Sequence, residues 1–173
     1  AIPVDARGLD FYTISGQKWL CGPEATGALV VADPEHLRVA RPSYFSQQSY
    51  EPNGAFVPWP GARRFDPHWM PAALMSGLLA AVSLQPEWRF ERAAVAAERC
   101  RELLTAAGHE LVVPEERATL VAWRPHGEET VAVVERLAAA RVIVRDLRGT
   151  GLVRASVGWW TSDEDLERLA AAL

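Results

Sequence analysis

Asp10-Phe11-Tyr12-Thr13-Ile14-Ser15-Gly16-Gln17-Lys18-Trp19-Leu20-Cys21-Gly22-Pro23, continued by Glu24-Ala25-Thr26-Gly27-Ala28-Leu29-Val30-Val31, holds the one lysine of the chain; the other seventeen basic residues are arginine. Lysine offers what arginine does not: a primary amine able to lose its proton and attack a carbonyl. Asp10–Ile14 is a β-branched and aromatic run of strand length, and Ala28–Ala32 after Gly27 is a second one. Ser15-Gly16 and Cys21-Gly22-Pro23 supply the turn residues between them. The spacing predicts strand, lysine, glycine turn, strand, which puts the amine on the rim of a sheet.

The chain has 173 residues, 49% of them hydrophobic, enough for one sizeable core or for one domain and part of another. Its net charge is −4 and its pI about 5.6, and no arginine run is dense enough for a nucleic-acid footprint. Cys21 and Cys100 are far apart without C-x-x-C spacing, which argues against a metal knuckle and a disulfide scaffold. No metal site is expected. No charged-then-apolar leader is present and no apolar run approaches a membrane span, so a cytoplasmic location is expected.

Asp33–Leu37 reads as a helical turn, and from Arg38 to Met70 no period is sustained. Such a stretch is expected to be a binding loop or an interface, its Tyr44, Phe45, Tyr50 and Trp59 serving packing, subunit contact or a substrate wall. Pro71–Leu84 predicts a helix apolar nearly all round, hence buried. Pro86 opens a longer helix through Ala107, stopped by Gly108, with Phe90, Ala93, Ala94, Ala97, Cys100 and Leu104 on its inner face. Strands are expected at 110–113, 119–123, 142–145 and 152–156. A helix at 128–140 buries Val131, Val134 and Leu137. The last helix, capped by Thr161 with Glu164, buries Leu166, Leu169, Ala170 and Leu173. The pattern is an α/β layer domain from about residue 85 onward.

The segment Ser15-Gly16-Gln17-Lys18, with Gly22-Pro23 and Gly27 after it, resembles the active-site segment of the class V aminotransferase family, S-G-H/Q-K followed by G-P-x-G-x-G. That family of fold-type I pyridoxal 5′-phosphate enzymes includes cysteine desulfurases, isopenicillin N epimerase and cysteine/cystine C–S lyases. Ala25 stands where the family usually has glycine. The resemblance begins at Ala1-Ile2-Pro3-Val4-Asp5 with no initiator methionine, which leads us to expect the C-terminal portion of a longer protein, inactive by itself. It implies that 1–84 is the C-terminal part of a cofactor-binding large domain and 85–173 a small C-terminal α/β domain.

The resemblance implies roles residue by residue. Lys18 carries pyridoxal 5′-phosphate as a Schiff base and is the catalytic base, and Ser15 and Gln17 bind the cofactor phosphate. A hydroxyl and an amide beside exposed backbone N–H groups suit a dianion, although Ser15 could also cap its own turn. Arg154, within Leu152-Val153-Arg154-Ala155-Ser156, matches the family arginine that clamps the substrate α-carboxylate. Gly61–Asp66 resembles a stretch whose closing threonine reaches the partner subunit's phosphate, but here His68 and Trp69 stand there, leaving Arg63, Arg64 and Asp66 as an ion-paired loop. His36, His109 and His126 read as solvated.

No cysteine lies between Arg145 and Arg154, so the sulfur-accepting thiol of a desulfurase is missing, while Arg148 could add a second positive contact. Transamination, β-elimination and epimerisation at an amino-acid Cα stay open, as does a homodimer through the cofactor domain. The rival is a degenerate, non-catalytic module for oligomerisation or partner binding.

Overall fold

A computed structural model describes residues 4–113 and 118–173; the opening residues 1–3 lie outside the described part. The chain divides into two compact units, Val4–Gln85 and Pro86–Leu173. The fold is mixed α/β.

In the first unit, β1 (Phe11–Ser15) pairs antiparallel with β2 (Gly27–Val31), with Tyr12 opposite Val30 and Ser15 opposite Gly27. The segment 38–70, expected to lack structure, holds a second hairpin, β3 (Gln47–Tyr50) with β4 (Phe56–Pro58), and a 3-10 turn at Gly61–Phe65. The signal for that hairpin is Pro52-Asn53-Gly54: Asn53 Oδ1 accepts from Ala55 N at 2.9 Å, and Gly54 takes φ +88°. The strands are too short for a period to register.

Helix α1 (Ala72–Ser83) forms as expected but is not buried: none of its residues is, and Leu79 and Leu84 beside it are 67% and 78% exposed. Its composition asks for a cover that the described residues of its own unit do not supply.

The second unit carries the core. Helix α2 (Arg89–Ala106) ends in a Schellman arrangement, with Gly108 N donating to Thr105 O and His109 N to Leu104 O. Its buried face is Ala93, Ala96, Ala97, Cys100 and Leu104, so Ala96 replaces the expected Ala94. Strands β5 (Glu110–Val112), β6 (Leu120–Arg124), β7 (Arg145–Leu147) and β8 (Leu152–Ser156) form an antiparallel sheet in the order β5-β6-β8-β7. Helix α3 (Thr130–Ala139) buries Val133 and Leu137, while Val131 faces solvent; helix α4 (Asp163–Ala172) buries Leu166 and Leu169, with Ala170 exposed. Trp123, Val121, Val153 and Ala155 close the core from the sheet.

Two boundaries move for identifiable reasons. Residues 142–144 do not join the sheet, because Val142 N donates to Leu137 O as part of the α3 cap, with Arg141 at φ +62°. The capping box of α4 is Ser162 with Asp165, each side chain accepting from the other's backbone N–H, whereas Thr161 Oγ1 accepts from Gly158 N.

Candidate functional site

Lys18 sits in the turn that follows β1, and the turn's backbone is locked from several directions. Gly16 N donates to Thr26 O at 2.8 Å, Gly22 N to Gly16 O at 2.8 Å and Cys21 N to Lys18 O at 3.0 Å. Gln85 Nε2 donates to Leu20 O at 3.0 Å and to Ala81 O at 2.9 Å, tying the turn to the end of α1. Gly16 is buried beneath it, and a Cβ there would stand 2.2 Å from Thr26 Oγ1 and 2.9 Å from Leu78 Cδ1. Gly77 plays the matching part on the helix, since a Cβ there would meet Pro23 Cγ at 2.6 Å. Thr26 is itself buried and donates to Pro23 O at 2.6 Å.

On this fixed base, Ser15, Gln17 and Lys18 are all exposed, and none of the three has an ion pair or side-chain hydrogen bond among the described residues. The arrangement holds one amine, one hydroxyl and one amide on a hydrogen-bonded turn, with no acidic residue from 15 to 19. Ala25 is at φ +59°, a left-handed conformation that glycine adopts freely and alanine does not.

Arg154 lies in the second unit, on β8. Its neighbours Val153 and Ala155 enter the core, so strand alternation sends Arg154 to the opposite face of the sheet. Its Nε is buried without a hydrogen-bond partner. A cleft of about 730 Å³ there is lined by Val134, Glu135, Arg145, Asp146, Arg148 and Arg154 among others. The sheet register sets Arg145 directly across from Arg154, which the sequence reading did not single out. Like charges across a strand pair repel, so the pair is better suited to an anion than to an empty face. Trp159 stacks edge-on against both Trp88 and Trp160, at 5.8 Å each.

The remaining residues sort plainly. Arg64 is buried and structural, donating from Nε to Trp59 O at 3.2 Å and from Nη1 to Pro34 O at 2.8 Å; Arg63 stacks on the Trp59 ring at 4.0 Å. The one ion pair described there is Arg64 with Glu35, at 3.8 Å; Asp66 contributes its carbonyl, which accepts from Ser43 Oγ. Trp69 is 62% exposed, and its carbonyl is bonded by His68 Nδ1. His109 is not solvated: His126 N donates to its Nδ1, its Nε2 is buried without a partner, and its ring lies 6.5 Å from that of Trp123. Burial pushes the His109 pKa below its ordinary value, helped by the charge of Arg136 and by His126, with Glu128 opposing. Cys100 is a core residue whose thiol burial pushes up to about 11. Among the described residues no group of three or more His, Cys, Asp or Glu side chains could hold a metal ion, and no helix is long and apolar enough to cross a membrane.

Solved structures match this arrangement over nearly the whole chain. A complex of the cystine C-S lyase C-DES with its reaction product cysteine persulfide superposes with a TM-score of 0.80 at 24% identity, covering 98% of this chain and 48% of that one. The fold is that of the C-terminal part of fold-type I pyridoxal-phosphate enzymes. A cysteine desulfurase from Thermococcus onnurineus NA1 matches with a TM-score of 0.77 at 18% identity, covering 94% of this chain and 45% of that one. A C-DES variant with glycine covalently linked to its pyridoxal-phosphate cofactor gives 0.80 at 22%, covering 98% and 47%. The chain thus spans about half the length of the structures it matches. No protein-family model and no curated protein sequence matches it.

Proposed function

We propose that the chain is the C-terminal part of a pyridoxal 5′-phosphate-dependent enzyme acting at the Cα of an amino acid, of the class V aminotransferase kind. The observation that carries this reading is the exposed amine of Lys18, the chain's one lysine, on a turn clamped by Gly16, Thr26 and Gln85. The donor set around it fits the cofactor: Ser15 and Gln17 supply neutral donors for a phosphate dianion, with no carboxylate beside them. When bound, the cofactor supplies an electron sink for the charge left at Cα.

The chain's own residues do the rest. Lys18 would hold the cofactor through its amine, and that amine, when free, would take the Cα proton. Arg154 binds the substrate α-carboxylate through its planar fork, a geometry that lysine does not reproduce. Residues 1–84 belong to the cofactor domain and 85–173 to the small domain. The completed enzyme is a cytoplasmic homodimer joined through the cofactor domain.

Aminotransferase-like, C–S lyase and epimerase chemistry all start from that one deprotonation. A desulfurase is disfavoured, since the stretch from Arg145 to Arg154 has no cysteine and Cys100 is buried. A second reading, a non-catalytic module, is favoured by Trp69, exposed where the family's cross-subunit threonine would stand.

The test is cofactor loading of the protein containing this chain. Pyridoxal phosphate should give a yellow species that borohydride fixes to the Lys18 peptide, seen by mass spectrometry and lost in Lys18→Ala. Folded protein with no adduct at Lys18 would select the non-catalytic reading. A panel of amino acids, read for keto acid, pyruvate, sulfide and inverted product, then separates the reactions.

A further inference from the structure

Strand β7 stops pairing with β8 at Arg145, although the register could run further. Arg145 stands opposite Arg154, so the same ladder would set Val144 against Ala155 and Val142 against Val157. Instead residues 142–144 leave the sheet with the α3 cap, where Val142 N donates to Leu137 O at 2.8 Å. The two segments diverge, and the wedge between them is a cavity of about 190 Å³ that reaches Cys100 on α2 and Leu166 and Leu169 on α4.

The floor of this cavity is apolar: Cys100, Val157, Leu166 and Leu169 are each no more than 6% exposed. Burial pushes the Cys100 thiol up to about 11, so it stays protonated. A buried water needs several polar partners, and this floor offers one weak donor. The mouth is different. Arg141, Asp165 and Arg168 line it and are exposed, beside Trp160. Asp165 is already committed, its Oδ1 accepting from Arg168 at 3.2 Å and its Oδ2 from Ser162 N at 3.0 Å. Arg141 has no ion pair among the described residues. Its backbone is held at φ +62° where α3 ends, a position that glycine fills without strain. Residues kept in costly backbone cluster at ligand clamps.

We propose that this cavity binds a small apolar monocarboxylate, its ring or branched chain on the Cys100 floor and its carboxylate on Arg141. An apolar cavity of roughly 150 Å³ accepts benzene, so this one admits a body of about that size with its charged head at the rim. The cavity shares only Val144 with the Arg154 cleft, and the inference does not rest on the cofactor reading.

Methyl NMR of the protein containing this chain tests it, with benzoate as the anion and benzyl alcohol as its uncharged counterpart. Benzoate should shift the Val157, Leu166 and Leu169 methyls, saturating with a Kd of about 1 mM or tighter. Benzyl alcohol should bind at least about 10-fold more weakly, for want of the charged hydrogen bond. Arg141→Gln should weaken benzoate by a similar factor and leave benzyl alcohol unchanged. Cys100→Leu fills the floor and should abolish both; if that variant does not fold, Arg141→Gln decides alone. Equal affinity for the two probes, or benzoate binding indifferent to Arg141→Gln, overturns the proposal. So do shifts confined to Val131 and Val134, which line the Arg154 cleft, and the absence of any saturable shift.

Discussion

Arg145 and Arg154 stand directly opposite each other on neighbouring strands, and neither has an ion pair among the described residues. Two guanidinium groups in cross-strand register cost the fold something that a bound anion would return. Replacing Arg145 with Gln should therefore raise the stability of the ligand-free protein by about 0.2–1 kcal/mol, read from the denaturation midpoint. Unchanged or lowered stability would mean that the pair carries no stored repulsion.

Arg154→Lys keeps the charge and loses the fork. With the completed enzyme we expect kcat/KM for an amino acid to fall by about 10–100-fold, the loss of about 1.5–3 kcal/mol of charged hydrogen bonding. Cofactor loading at Lys18 should be unchanged. A variant as active as the parent would place the carboxylate elsewhere.

Ala25 and Arg141 both occupy left-handed backbone, at φ +59° and +62°. Such positions cost a non-glycine residue about 1–2 kcal/mol. Ala25→Gly and Arg141→Gly should each recover about 1 kcal/mol, less some entropy gained by the unfolded chain. Because they lie in different units, each should stabilise its own unit alone; amide exchange in β1–β2 and in α3 reads the two effects separately.

Gly16→Ala should do the opposite. The new methyl meets Thr26 Oγ1 and Leu78 in a turn with little room to yield, at a cost of about 1–3 kcal/mol. Faster exchange of the Gly22 amide, which bonds Gly16 O, would report the loosened turn. Thr26→Ala should restore part of it.

The pH dependence of the second unit follows from His109. Its folded-state pKa lies below the ordinary value of 6.5, so the fold prefers the neutral ring. Between the two values the unfolded chain binds more protons, and stability rises with pH there. The contribution is complete above about pH 6.5 and is lost as the pH falls through that window. Melting temperature against pH should show this fall, and His109→Gln should flatten it.

The stretch around Lys18 was legible because its chemistry is local: two apolar strands, glycines where the chain must touch itself, and one amine. The existence of α2 was legible for the same reason, although its phase slipped at Ala94 and Ala96, where small residues on both sides of the face blur the stripe. Arg145 was not legible, because only the sheet register sets it against Arg154. The β3–β4 hairpin hid behind strands of four and three residues, with Pro52-Asn53-Gly54 as its one clear mark. The exposure of α1 was illegible for a deeper reason. An apolar helix declares that it wants a cover, and the sequence does not say whether the cover lies in the same chain.

The uneven placing of the apolar side chains also governs how the molecule should melt. Cooperative unfolding draws its heat from packed interior, and here the packed interior begins at Ala93. A calorimeter loaded with this chain alone should record one transition with an enthalpy near half that expected for its length, taken at about 0.7 kcal/mol per residue. The segment bearing Lys18 would contribute little to that peak, having largely loosened before it began.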